Sequence, residues 1–197
     1  AGPRENGRSV ERAGDAEGGE GRRSGGCPPE TKSASAFTRV LSDLARERRW
    51  QEVDKVIEEM LRCRIKPNEI HIGAGVDVFG KCGLALEAEE WLNSMRQRGF
   101  HPGVGSYNGM INTYAQLGQV DEAERWLQEL FNAGLQGDTI SFTSVIHACA
   151  RQSETQRAER WLEHMIECRV RANAVSFNSI LNAHAQRGEL ERAEEWL

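Results

Sequence analysis

Apolar residues recur along residues 34–197 with two superposed spacings. Locally they are three or four residues apart, which is the spacing of an amphipathic α-helix with one buried face. Over longer distances the pattern returns every 35 residues, most clearly as an Ala-Glu-x-Trp-Leu motif that begins at Ala88, Ala123, Ala158 and Ala193. Self-similarity at a fixed period of this length is typical of a solenoid of stacked helical hairpins.

The period divides this region into four whole units and one incomplete unit, which are 34–68, 69–103, 104–138, 139–173 and 174–197. In each unit, positions 4, 8 and 12 form the apolar stripe of a first helix, and positions 20, 23, 24 and 27 form that of a second helix. One hairpin cannot bury its apolar face alone, so stacked hairpins share a continuous core. The sequence therefore predicts an all-α fold of helix-turn-helix repeats.

Small and polar residues mark the turns between these helices. Position 15 is glycine in three units, and glycine readily adopts the left-handed conformation that ends a helix. Position 3 is serine in three units, and we expect these serines to cap the first helices. The glycines are Gly83, Gly118 and Gly188, and the serines are Ser106, Ser141 and Ser176.

Residues 1–33 differ from the repeats in composition. They contain eight glycines, six basic residues, six acidic residues and no aromatic residue. Such a segment buries too little apolar surface to offset the entropy lost on ordering, so we expect a disordered tail or linker. Because the chain begins with Ala1 and stops at Leu197 inside a helical pattern, we expect it to be a fragment of a longer protein.

Composition narrows the classes of function. With 25 basic and 30 acidic residues the net charge is −5, which argues against a uniformly basic nucleic-acid coat but allows a basic groove on an acidic body. No stretch is apolar enough for membrane insertion. The five cysteines form no CxxC pair, so we expect neither a metal site nor a cofactor. The glutamates at position 21 are interpreted as a solvated row without catalytic function, and they are Glu89, Glu124, Glu159 and Glu194.

In this register, the chain resembles the pentatricopeptide repeat (PPR) family over residues 34–197. Unit 104–138 carries the resemblance best, with Tyr107-Asn108 in the first helix and Asp138 at its end. Unit 69–103 is weaker because it lacks the aromatic-polar pair. The resemblance implies a right-handed α-solenoid that binds single-stranded RNA, one base per repeat, in RNA processing, stability or translation in a mitochondrion or chloroplast.

The resemblance also implies roles for particular positions. Positions 5 and 35 select the base, position 2 flanks it, and a basic residue at position 13 approaches phosphate. The implied base-recognition residues are Thr38, Asn68, Asn108, Asp138, Thr143, Asn173 and Asn178. The implied flanking residues are Ile70, Ile140 and Val175, and the implied phosphate contacts are Arg46, Lys81 and Arg151.

Each pair of positions 5 and 35 implies a base preference. Thr with Asn, in the first and fourth units, implies adenine, and Asn108 with Asp138 implies uracil. Gly73 and Gly103 carry no polar side-chain atoms and should discriminate little. Asn178 alone favours a pyrimidine. Under the family's parallel polarity, the predicted site is 5′-A-N-U-A-Y-3′.

Two other interpretations remain open at this stage. Asn, Thr and Asp near a helix start often cap the helix instead of reading a base, which applies directly to Asp138 and Asn173. The net charge and unit 69–103 also fit a protein-binding solenoid, either a scaffold or a subunit of an organellar complex. No enzyme is expected in this chain, and a catalytic domain beyond Leu197 is left open.

Overall fold

The computed structural model describes residues 33–194 and 196, and within that part the chain is helical without strands. The predicted tail therefore lies outside the described residues apart from Ser33, whose hydroxyl caps the first helix. The helices are α1 (Ala34–Glu47), α2 (Val53–Arg62, after a 3-10 turn at Trp50–Glu52), α3 (Glu69–Cys82), α4 (Ala85–Gln97), α5 (Val104–Gln116), α6 (Val120–Asn132), α7 (Thr139–Arg151), α8 (Thr155–Glu167), α9 (Ala174–Arg187) and α10 (Leu190–Glu194).

The helices form two layers. The first helices of successive units, α1, α3, α5, α7 and α9, pack side by side in chain order, and we call them the inner helices. Each second helix packs against the first helix of its own unit, and α4, α6 and α8 also contact the inner helix that follows. The predicted all-α solenoid is thereby confirmed. Among the described helices, none has the length and apolar character that a membrane span requires.

The core runs continuously between the two layers. Phe37, Tyr107 and Phe142 of the predicted first stripe are buried, as are Trp91 and Trp126 of the second. Burial of each such side chain contributes about 1.5–3 kcal/mol. The periodic apolar positions are therefore the ones that join each hairpin to the next.

Position 15 adopts the left-handed conformation in every unit. Gly83, Gly118 and Gly188 have φ values of 75°, 73° and 74°, which confirms the predicted helix ends. Arg48 and Ser153 occupy the same position with φ of 57° and 60°, although neither is glycine. The hairpin geometry thus imposes this conformation whatever the residue, at a cost of about 1 kcal/mol where a Cβ is present.

The prediction that position-3 serines cap the inner helices is wrong. Helix α7 begins at Thr139, so Ser141 is its third residue, and the N-cap is Asp138. The Asp138 carboxylate accepts the Ser141 N–H at 2.9 Å, and Ser141 Oγ accepts the Asp138 N–H at 3.1 Å, which is a capping box. Asn173 caps α9 by accepting the Ser176 N–H at 3.0 Å. The last residue of each unit therefore begins the next inner helix.

Candidate functional site

The predicted base-recognition residues lie together along one edge of the inner layer. Position 35 caps an inner helix, and position 5 lies one turn inside the preceding inner helix. Because adjacent inner helices pack side by side, position 5 of a unit faces the cap that ends the same unit. Packing thus brings together side chains that are 30 residues apart in sequence.

Asn108 and Asp138 are joined directly. Asn108 Nδ2 donates to both carboxylate oxygens of Asp138 at 3.1 Å. Ser141 Oγ lies 2.5 Å from Asn108 Oδ1 and 3.0 Å from Asp138 Oδ1, so it ties both side chains to the start of α7. Asp138 is exposed and Asn108 is half-buried. The pair is therefore held in one orientation and stays open to a ligand.

Thr143 and Asn173 are joined through a serine. Thr143 Oγ1 lies 2.9 Å from Ser176 Oγ, and that hydroxyl donates to Asn173 Oδ1 at 3.1 Å. Ser176 thus occupies the place that Ser141 has in the preceding unit. The capping role of Asn173 and its place beside Thr143 are compatible, because the cap uses only Oδ1 and leaves the amide hydrogens unused.

Thr38 and Asn68 line one concavity with Ile70, and within the described part of the chain no hydrogen bond joins their side chains. Asn68 caps α3 by accepting the His71 N–H at 3.2 Å, and the Thr38 hydroxyl donates to the Ala34 carbonyl at 3.4 Å. His71 stands where later units have serine, so the bridging hydroxyl of those units is missing here. Asn178 is exposed on α9.

The predicted flanking residues form an exposed apolar row. Ile70, Ile140 and Val175 are 60%, 61% and 54% exposed, although residues of this kind usually lie in the core. They follow the caps of α3, α7 and α9 by two residues, so they stand beside the base-recognition side chains. Gly105 occupies the corresponding place on α5 and interrupts the row.

The predicted phosphate contacts differ in their surroundings. Arg46 pairs with Asp43 and Lys81 pairs with Asp77 at 2.8 Å, both within their own helices. Arg151 lines the same concavity as Thr143 and Val175. Within residues 33–194 and 196, no carboxylate lies at ion-pairing distance from it. Of the three cations, Arg151 is the one placed with base-recognition residues and without local neutralisation.

The interpretation of the position-21 glutamates as a solvated row is wrong for the three inside the array. Glu124 Oε1 accepts the Trp161 indole N–H at 2.6 Å, and Arg157 of the next unit donates to both of its oxygens at 3.0 and 2.6 Å. This contact raises the pKa of Arg157. Glu159 similarly accepts from Trp196 and contacts the buried ring of His184. These carboxylates join consecutive units.

Glu89 makes the same kind of connection with different partners. The Tyr114 hydroxyl donates to it at 2.9 Å and Arg125 at 2.8 Å. Burial, followed by this bond to a carboxylate, raises the pKa of Tyr114 to about 12. The Trp126 indole N–H, which would be the equivalent donor, is buried and has no hydrogen-bond partner among the described residues.

A sequence signal for these connections existed. An acid precedes each of the bonded tryptophans by 37 residues, which is one period plus two, as in the Asp54–Trp91 bond of 2.9 Å. The period places the two side chains in neighbouring units, and only the stacking shows that they touch. The carboxylates thus belong to the scaffold on the side of the second helices, and the candidate functional surface is the edge of the inner helices.

Two protein-family models match this chain. A model described as a pentatricopeptide repeat domain matches residues 125–187. A model described as a PPR repeat matches residues 35–65, 76–100 and 105–135. A pentatricopeptide repeat-containing protein of Arabidopsis thaliana is 35% identical over 63 residues, which are 32% of this chain and 8% of that protein.

Solved structures share the fold. The pentatricopeptide repeat protein PPR10 from maize superposes with a TM-score of 0.68 at 21% identity, over 83% of this chain and 24% of the other. A PPR10 complex with an 18-nt psaJ RNA element gives 0.71 at 22% identity, over 84% and 24%. The PPR domain of Arabidopsis thaliana protein-only RNase P 1, in complex with tRNA, gives 0.65 at 12% identity, over 82% and 86%. This chain thus spans about a quarter of PPR10.

Proposed function

Because this chain belongs to the pentatricopeptide repeat family, we propose that its inner helices bind single-stranded RNA, one base per repeat. The observation that carries the proposal is the Asn108–Asp138 pair, an amide held against a carboxylate on the open edge of the inner layer. PPR10, whose solved complex contains RNA, shares this fold. The mitochondrial or chloroplast role that the resemblance implies stays a prediction.

The chemistry of the pair suits uracil. The Asn108 amide has a second N–H that can donate to a carbonyl of the base, and the Asp138 carboxylate has lone pairs left to accept the imino N–H. Ser141 orients both groups before the base arrives, so little side-chain freedom is lost on binding. Single-stranded bases are read in this way, by side chains that reach their Watson–Crick edges.

The exposed apolar row supports the same function. A base that is unstacked from its neighbours loses contact area on both faces. Ile140 and Val175 offer apolar surface on either side of the Thr143–Asn173 pair. Arg151 lies in the concavity next to Thr143, where it neutralises backbone charge. The function proposed for this chain is passive: it holds an RNA segment and thereby excludes nucleases or competing structure.

The test is equilibrium binding of the chain to an RNA with the 5′-A-N-U-A-Y-3′ site and to a scrambled RNA, over a range of salt concentrations. We expect preference for the first RNA and affinity that falls with salt. Negligible binding to both would refute the proposal and favour a protein-binding solenoid.

A substitution tests the assignment of a base to a unit. Asn108→Thr, with Asp138 kept, should move the preference at the third base from uracil toward guanine. Asn132→Thr is the matched control, because Asn132 is an exposed residue at the end of α6, on the second helix of the same unit and away from the inner-helix edge. A third-base preference that does not move in Asn108→Thr would show that unit 104–138 reads no base.

A further inference from the structure

Each unit contributes one base-binding layer to the edge of the inner helices, formed by its positions 5 and 35. The layer of unit 69–103, the second along the array, has no recognition side chains. Unit 69–103 has Gly73 at position 5 and Gly103 at position 35, and Gly105 takes the flanking place on the next helix. Gly103 also caps α5 without any side-chain hydrogen bond. From these glycines alone, the layer should accept every base equally.

The Glu69 side chain occupies the space where a side chain at position 35 of its unit would begin. A Cβ added to Gly103 would lie 2.3 Å from Glu69 Oε2 and 2.9 Å from Glu69 Cβ, so the glutamate fills that space. Glu69 is the first residue of the same unit and is exposed. Across residues 33–194 and 196, no hydrogen bond or ion pair engages its carboxylate.

The reach of Glu69 follows from its place in the repeat. Thr139, the first residue of its own unit, donates to the carbonyl of Arg171 at 3.1 Å, near the end of that unit. The first-position side chain of unit 139–173 thus reaches the segment that closes its unit. In unit 69–103 the longer glutamate extends to the closing residue itself, and it supplies an acceptor close to where Asp138 supplies one in the next unit.

A buried hydroxyl in the same layer lacks a partner. Ser141 and Ser176 bond to the recognition pairs of their layers, whereas Ser106 is 0% exposed and its Oγ has no hydrogen-bond partner in the part of the chain that the structure describes. A Cβ added to Gly73 would lie 3.8 Å from that oxygen, so the hydroxyl lies directly beneath Gly73. A buried hydroxyl that lacks a partner among the described residues therefore lies beside Gly73 in the same layer.

We propose that Glu69 determines specificity in the second layer and selects guanine there, an inference that rests on the proposed RNA-binding function. An ionised carboxylate only accepts hydrogen bonds, and guanine presents two adjacent donors, its imino N–H and its amino group. Adenine presents an unprotonated ring nitrogen at the same place. Uracil presents one N–H flanked by two carbonyl oxygens, and a carboxylate repels these oxygens. With guanine in this layer, the site becomes 5′-A-G-U-A-Y-3′.

The experiment compares four RNAs that differ only in the second base, bound to the whole chain. For the unsubstituted chain we expect guanine to exceed adenine by about tenfold, the discrimination that a bidentate contact gives. Glu69→Gln should reduce this ratio to about one, because an amide both donates and accepts. The position is exposed, so the variant should keep the helical content and melting temperature of the parent.

Asp77→Asn is the matched control. It also removes one carboxylate from α3, and Asp77 is paired with Lys81 and not with Gly103. Its affinity for all four RNAs should therefore rise together with the guanine-to-adenine ratio unchanged. A ratio that survives Glu69→Gln would overturn the assignment of Glu69.

The remaining outcomes separate the two proposals. A chain that discriminates the third and fourth bases and treats all second bases alike refutes the role of Glu69 and leaves RNA binding intact. A chain that binds none of the RNAs refutes the proposed function, and the role of Glu69 falls with it.

Discussion

Removal of the Glu124 carboxylate tests whether the position-21 acids hold neighbouring units together. Glu124 Oε1 accepts the Trp161 N–H at 2.6 Å, and its two oxygens receive the Arg157 guanidinium at 3.0 and 2.6 Å. The Glu124 and Arg157 side chains are 21% and 26% exposed, so the contact is largely shielded from water. Glu124→Ala leaves an indole N–H and a guanidinium facing a gap between two units.

The expected loss in the free energy of unfolding is the sum of two contributions, one from the Trp161 bond and one from the Arg157 pair. A hydrogen bond to a charged group contributes roughly 1.5–3 kcal/mol, and the Trp161 bond belongs at the lower end because the ring is half-buried. The Arg157 pair adds less than about 1 kcal/mol, since its exposed part is screened and Arg157 keeps its contacts with Asp121 and Glu154. We expect Glu124→Ala to lower the free energy of unfolding by about 2 kcal/mol.

The assay is urea denaturation followed by circular dichroism. Glu122→Ala is the matched control, because Glu122 pairs with Arg125 on the same helix at 2.7 Å with both side chains more than 40% exposed. It should cost less than about 0.5 kcal/mol. A double-mutant cycle of Glu124→Ala with Trp161→Phe measures the coupling across the indole bond, with an expected value of about 1 kcal/mol. Equal losses in Glu124→Ala and Glu122→Ala, or zero coupling, would refute the scaffold role of Glu124.

Two further predictions concern the backbone and the pH dependence of stability. Ser153→Gly should raise the free energy of unfolding by up to about 1 kcal/mol in urea denaturation, because Ser153 has φ 60° and glycine adopts this conformation without strain; a decrease would contradict this. The raised pKa of Tyr114, about 12 against an ordinary 10.0, means that folding favours the protonated phenol. The resulting stability is present below pH 10 and is lost as pH rises from about 10 to 12. Tyr114→Phe should abolish that part of the decline, measured by urea denaturation at each pH, and Glu89→Gln should lower the pKa of Tyr114 in a tyrosinate absorbance titration.

Much of the scaffold was predictable from the sequence because its signals are periodic and local. An apolar stripe on each helix needs only the spacing within 35 residues, and Phe37, Tyr107 and Phe142 are buried as that spacing predicts. The left-handed turn at position 15 was likewise visible in Gly83 and Gly118. The roles of the candidate surface residues in RNA binding follow only from the family resemblance, and they stay predictions.

The two predictions that the structure contradicts concern the position-3 serines and the position-21 glutamates. The first depends on where a helix begins, and the second depends on the neighbouring unit. Ser141 is a good N-cap residue by type, but the helix begins two residues before it, and Asp138 takes the cap. Glu124 is of a residue type that is usually exposed to solvent, but stacking places a tryptophan and an arginine of the next unit against it. No local pattern reveals the contacts of Glu124, because both of its partners are more than 30 residues away in the chain.

The sequence alone therefore determined the period, the helical hairpins and the buried stripe, since each is set by the spacing of apolar residues within one unit. Tertiary structure decided which polar side chains meet across units. It joins Asn108 to Asp138 and extends Glu69 over Gly103, and it leaves the Ser106 hydroxyl without a hydrogen-bond partner among the described residues. Those meetings depend on the distance between packed helices and the reach of each side chain, and neither quantity is encoded in a residue's neighbours along the chain.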